Sequence, residues 1–168
     1  MKKTALYIIN SVVAFALIIT LAILIWKYSS LPNSIPVHFD MNGVPNRYSG
    51  RASIFVLYGI CVGFYALMLF VQKKQHLINM PVPTDKSGCP QNLTKEQRLQ
   101  YLKVSITNVS LVLAIVIALL IYCLLGICQL YKLNPYFPII HIVAIALVLV
   151  HYFYRINHLS FTEADRSH

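Results

Sequence analysis

The chain predicts an all-α integral membrane protein with four transmembrane helices, and three observations predict it. Four long runs (5–26, 54–71, 104–130 and 139–153) contain no Asp, Glu, Lys or Arg. Only 11% of the residues are charged, against about 25% in ordinary soluble domains. The basic residues fall in the connecting segments and follow the asymmetry of membrane proteins. A helix in water keeps a polar face, and these runs have none. A hydrocarbon core about 30 Å thick takes about 20 apolar residues in helical form. One membrane domain therefore accounts for all 168 residues.

The first helix is placed at 5–26. Asn10 and Ser11 lie near one end, and Trp26 and Tyr28 mark the other as an interface where amphipathic rings sit well. The Lys2–Lys3 start would suit a signal peptide, but the apolar stretch is too long and no small-residue cleavage site follows. The segment is expected to stay as an anchor. An outer loop, 27–53, leads to the second helix, 54–71. There Gly59 and Gly63 fall on one helical face and permit close backbone approach. Packing inside the bundle is the plainer use of that face, and homodimerisation the sharper one.

A connection at 72–103 follows, turn-rich between Met80 and Pro90. Thr94 and Gln97 have the spacing of a capping box. A short basic helix should run from there into the third helix, 104–130, either against anionic headgroups or as a solvated lead-in. Ser105, Thr107, Asn108 and Ser110 at its start are expected to bond to Asn10 and Ser11. The fourth helix is placed at 137–154. Its fifteen apolar residues reach only about 22 Å, and Tyr136, Tyr152 and Tyr154 extend it as interface anchors. His141 and His151 near its ends read as partly wet structural histidines. A tail, 155–168, closes the chain.

A net charge of +9 does not point to nucleic acid, because no basic groove with interleaved aromatics is present. Lys2, Lys3, Lys73, Lys74, Lys86, Lys95, Arg98, Lys103, Arg155 and Arg166 share one side. Lys27, Arg47, Arg51 and Lys132 share the other. Ten against four places both termini in the cytoplasm, and four spans require the termini to share a side.

Enzyme chemistry is not expected. The sequence has no His-Glu-x-x-His, no intramembrane Asp pair and no phosphate-cradling glycine loop. Cys61, Cys123 and Cys128 fall in apolar runs and Cys89 in a cytoplasmic connection, without zinc spacing. They read as apolar filler plus one loop thiol. His151, Arg155 and His158 share a helical face but lack a carboxylate or thiolate partner, so no metal or other cofactor is expected.

The informative stretch is 31–51. Asn42-Gly43 is the strongest two-residue hairpin signal. A turn there pairs Met41 with Val44, Phe39 with Asn46, His38 with Arg47 and Val37 with Tyr48. Alternation then puts Val37, Phe39, Met41, Val44 and Tyr48 on one face and His38, Asp40 and Arg47 on the other. An isolated hairpin is marginal in water, so the apolar face should pack on the helix ends or the membrane surface. Pro36 and Pro45 each remove a ladder donor and keep the pairing short. His38, Asp40 and Arg47 form either a small polar site or an internal brace.

Leu31-Pro32, Ile35-Pro36, His38, Gly43, Asn46, Tyr48 and Arg51, set between two membrane helices, resemble the bacterial membrane family called domain of unknown function 1648. That family includes the amino-terminal part of the SdpI-type immunity proteins. Its pattern usually has Asp at the place of Asn46 and Lys at that of Arg51, and SdpI-type proteins carry further membrane helices. The resemblance implies a non-enzymatic protein of the bacterial inner membrane. Its partner would be a peptide toxin or a membrane signalling protein. The binding residues would be His38, Phe39, Asp40, Gly43, Asn46, Arg47, Tyr48 and Arg51. The alternative is a small oligomeric transporter or channel subunit assembled through Gly59 and Gly63, although no ionisable residue sits at mid-membrane to couple transport.

Overall fold

The structure, a computed structural model, describes residues 4–40, 44–74, 94–128, 134 and 136–164. It contains α1 (Thr4–Tyr28), β1 (Ser34–Phe39), β2 (Pro45–Gly50), α2 (Ser53–Lys73), α3 (Lys95–Ile127) and α4 (Phe137–Ala164). All four helices are long and apolar enough to cross a membrane. α1 and α2 outrun the apolar runs that announced them, α3 begins nine residues before 104 but ends at Ile127 rather than 130, and α4 continues ten residues beyond 154.

Polar chemistry sets the helix ends. Thr94 and Gln97 form the expected capping box, Gln97 N–H donating to Thr94 Oγ1 at 3.3 Å. The basic lead-in is therefore the first turns of α3 itself. At the end of α1, the Ser30 N–H and hydroxyl both donate to the Lys27 carbonyl (3.0 and 2.8 Å). This satisfies a carbonyl that the helix leaves open, and Pro32 follows.

α3 is the central helix, packed against α1, α2 and α4, with α4 held mainly by α3. Leu17, Leu24, Ile54, Cys61, Met68, Ile117 and Leu124 form the buried spine. In α4 only 11% of the apolar window is buried inside the protein, so the rest of its surface needs an apolar surrounding. A second polar layer joins three helices. Asn10 Nδ2 donates to Gln72 Oε1 (2.8 Å), and Gln72 Nε2 donates to Asn10 Oδ1 (3.0 Å) and Ser110 Oγ (2.9 Å).

Several expectations need correction. Ser11 is exposed, and Thr107, Asn108 and Ser110 donate back to carbonyls four residues earlier. Gln72, read as the start of a loop, is the junction of the network. Gly59 and Gly63 are not used within the bundle: both are exposed, and a Cβ on either would meet nothing within 4 Å. The Tyr152 hydroxyl turns onto Ser105 Oγ (3.1 Å). His141 is buried, while His151 is exposed. The side chain of His158, Cys89 and the Met80–Pro90 segment lie outside the described residues.

Candidate functional site

β1 and β2 form an antiparallel hairpin at the end of the bundle where α1 finishes and α2 begins. Leu31 and Ile35 are buried with Leu24, Ile54, Leu124 and Ile127, and Val37 and Phe39 pack on the same cluster. Ile35 is 0% exposed. Burying such a side chain contributes about 1.5–3 kcal/mol, enough to seat a ribbon that would be marginal alone.

The base of the hairpin is clamped separately. Arg51 N–H donates to Asn33 O (3.0 Å), and the Ser49 and Ser53 hydroxyls bond at 2.7 Å. The Arg51 guanidinium lies 5.1 Å from the centre of the Tyr28 ring, and that ring meets Phe55 at 5.2 Å. Arg51 therefore braces the site through a cation–π contact.

The register agrees with expectation at His38–Arg47 and differs around it. Pro36 pairs with Tyr48 and Phe39 with Pro45, with irregularities on both sides of His38. Asp40 N–H donates to Val44 O (2.9 Å), and Asp40 Oδ1 accepts from Val44 N–H (2.8 Å). Three residues, 41–43, therefore lie between the closing pair rather than two. The Asn42-Gly43 turn, Met41 and the site candidate Gly43 lie outside the described residues. The shift also changes the faces. Val37 and Phe39 point inward as expected, but Val44 and Tyr48 are 56% and 59% exposed, and Pro45 and Ser49 are the half-buried residues of β2.

On the outward side, His38 Nδ1 lies 2.6 Å from Asn46 Oδ1. An amide oxygen only accepts, so Nδ1 carries the proton and Nε2 remains as an acceptor in the neutral ring. The predicted His38, Asp40 and Arg47 group divides: His38 engages Asn46, Asp40 closes the turn, and Arg47 is exposed. Among the described residues no group of three His, Cys, Asp or Glu could hold a metal ion. What the exposed residues of the hairpin offer is an imidazole, an amide, a guanidinium and the Tyr48 ring on a seated ribbon.

Residues 15–62 match the family model of a domain of unknown function, DUF1648. The DUF1648 segment runs from within α1, through the whole hairpin, into α2. It covers a helix–hairpin–helix unit and leaves α3 and α4 outside. The match is to that domain and does not extend to SdpI-type immunity. Neither the curated proteins nor the solved structures compared with the chain give a match.

Sequence reasoning missed Ile35 as the hairpin's anchor and Tyr28 as the partner of Arg51. Ile35 carried a signal, being the apolar residue two before Val37 on the same strand face.

Proposed function

We propose that this is a non-enzymatic multi-pass protein of the bacterial cytoplasmic membrane, with both termini in the cytoplasm, that recognises a peptide or protein partner through the hairpin. The role would be of an immunity or signalling kind. One observation supports the reading most: the hairpin packs Ile35, Val37 and Phe39 against the bundle while Arg47, Tyr48 and the His38–Asn46 pair stay exposed. Tyr and Arg on a rigid support are the residues that interface hot spots favour, each contributing about 2 kcal/mol or more. The test is survival of cells exposed to sibling peptide toxins. Expression of the protein should protect, and Arg47→Ala with Tyr48→Ala should abolish protection at unchanged protein level. Equal sensitivity with and without the gene, and no partner that depends on the hairpin, would sink the reading.

The second reading is a small oligomeric transporter or channel subunit, supported by the exposed Gly59–Gly63 face. Two glycines four apart let helices of separate copies approach closely. A protein that stays monomeric in mild detergent and passes no solute in liposomes removes it.

A further inference from the structure

The two strands of the hairpin have open edges that differ. In an antiparallel ladder, residues that bond across the pair alternate with residues whose N–H and C=O turn outward. Arg51 N–H donates to Asn33 O (3.0 Å), next to the pair Ser34–Gly50. The alternation therefore has Ile35 and Ser49 bond across the pair. It turns the backbone groups of Ser34 and Pro36, and of Tyr48 and Gly50, away from the partner strand. Pro36 has no N–H to offer, and β1 also lies against α3. The edge of β2 keeps two N–H and two C=O groups, on Tyr48 and Gly50. Both residues are exposed, and a Cβ on Gly50 would meet nothing within 4 Å. Those four groups have no hydrogen-bond partner among the described residues.

The charge around this edge is one-sided. Segment 27–53 carries Lys27, Arg47 and Arg51 against a single carboxylate, Asp40. Asp40 Oδ1 is engaged by the Val44 N–H (2.8 Å). Arg47 is exposed just before Tyr48, and Arg51 follows Gly50, so the two arginines bracket the open groups. An antiparallel strand bonded to both Tyr48 and Gly50 would set residues four apart directly opposite the arginines. Like charges so opposed destabilise the pairing, and opposite charges favour it. A second copy of β2 in that register would put Arg47 of each copy against Arg51 of the other. A carboxylate at each of those places satisfies both arginines.

We propose that the open edge of β2 takes up an extended acidic peptide as a third strand, with carboxylates four residues apart meeting Arg47 and Arg51. Main-chain bonds to Tyr48 and Gly50 hold the strand, and the arginines select its charge. The inference rests on the hairpin being a recognition element, and adds a backbone mode of binding that recognition by side chains alone does not need.

The test uses the full chain in nanodiscs of zwitterionic lipid and a phage-displayed library of short random peptides. The selected peptides should be rich in Asp and Glu. The tightest of them, made with a fluorophore, should lose binding when N-methylated at alternate residues in one phase and keep it in the other, because only one set of its N–H groups faces β2. Gly50→Pro removes one outward N–H, leaves the exposed side chains in place and should weaken binding about tenfold. Gly50→Ala keeps the N–H and should bind as the wild type does. The N-methyl comparison needs no variant, so it decides even where Gly50→Pro loosens the ribbon. Binding indifferent to the phase of N-methylation would overturn strand addition while leaving side-chain recognition by the hairpin standing. Selection of no peptide, or of peptides without an excess of acid, would overturn it too. So would a wild-type dimer that Gly50→Pro dissolves, since a second copy would then fill the edge.

Discussion

Gln72 shows how a single residue can escape a sequence reading and still hold the structure together. The apolar run of the second helix ends at Val71, so Gln72 reads as the first residue of a loop. The helix continues to Lys73, because a long polar side chain can turn back toward the bundle and find partners. Asn10 and Ser110 were legible as polar interruptions of apolar runs. Their common partner was not, because nothing in spacing says which way a side chain at a helix end points. Gln72→Leu removes three hydrogen bonds and takes from the Asn10 amide the two it makes to Gln72, while Ser110 keeps its bond to Ile106 O. The expected loss is about 1–3 kcal/mol, measured by reversible unfolding in mixed micelles. Interhelical bonds in membrane proteins average about 0.6 kcal/mol in double-mutant cycles. A cycle with Asn10→Ala should therefore show coupling of at least that size, and additive effects would show that the two amides do not act together.

At the scale of elements, the hairpin and the start of α3 make contrasting cases. The capping box was readable because Thr94 and Gln97 are close in sequence and their geometry is local. Thr94→Ala should cost about 0.5–2 kcal/mol, seen as faster hydrogen exchange confined to the first turn of α3. The hairpin was readable on β1, where alternation places Ile35, Val37 and Phe39 on the core side. β2 was not, because Pro36 and Pro45 lack ladder donors and the irregularities near His38 break the period of two. Register depends on the turn, and the closing pair Asp40–Val44 leaves three residues where the Asn-Gly signal implied two. If the ribbon is seated by its buried anchor, Ile35→Ala should cost about 2–5 kcal/mol and speed exchange across 34–50. Arg47→Ala on the exposed side should leave that exchange unchanged. Equal effects of the two would mean that the ribbon is not held from its inner face.

For the whole molecule, α3 fixes the arrangement by touching the other three helices, and α4 adds a largely uncovered apolar surface. That architecture followed from the hydropathy of the runs, since nothing but a bilayer suits so many exposed apolar side chains, among them Phe15, Ile18, Val56, Ile142 and Leu147. Orientation rests on the charge asymmetry alone, ten basic residues against four, and it can be tested with two thiols. Tyr48 is exposed on the hairpin, and Cys89 lies in the connection between α2 and α3, so the single crossing by α2 sets them on opposite sides. Cys61 and Cys128 are buried and Cys123 half-buried within the bundle, which limits background. With the positive-inside rule, an impermeant maleimide should label Tyr48→Cys in intact cells and reach Cys89 only after the inner face is opened. The reverse pattern would invert the protein and turn the hairpin toward the cytoplasm, where a secreted peptide could not meet it. Labelling of both thiols from outside would require an even number of crossings between them, so that α2 does not span, and would break the four-span arrangement itself.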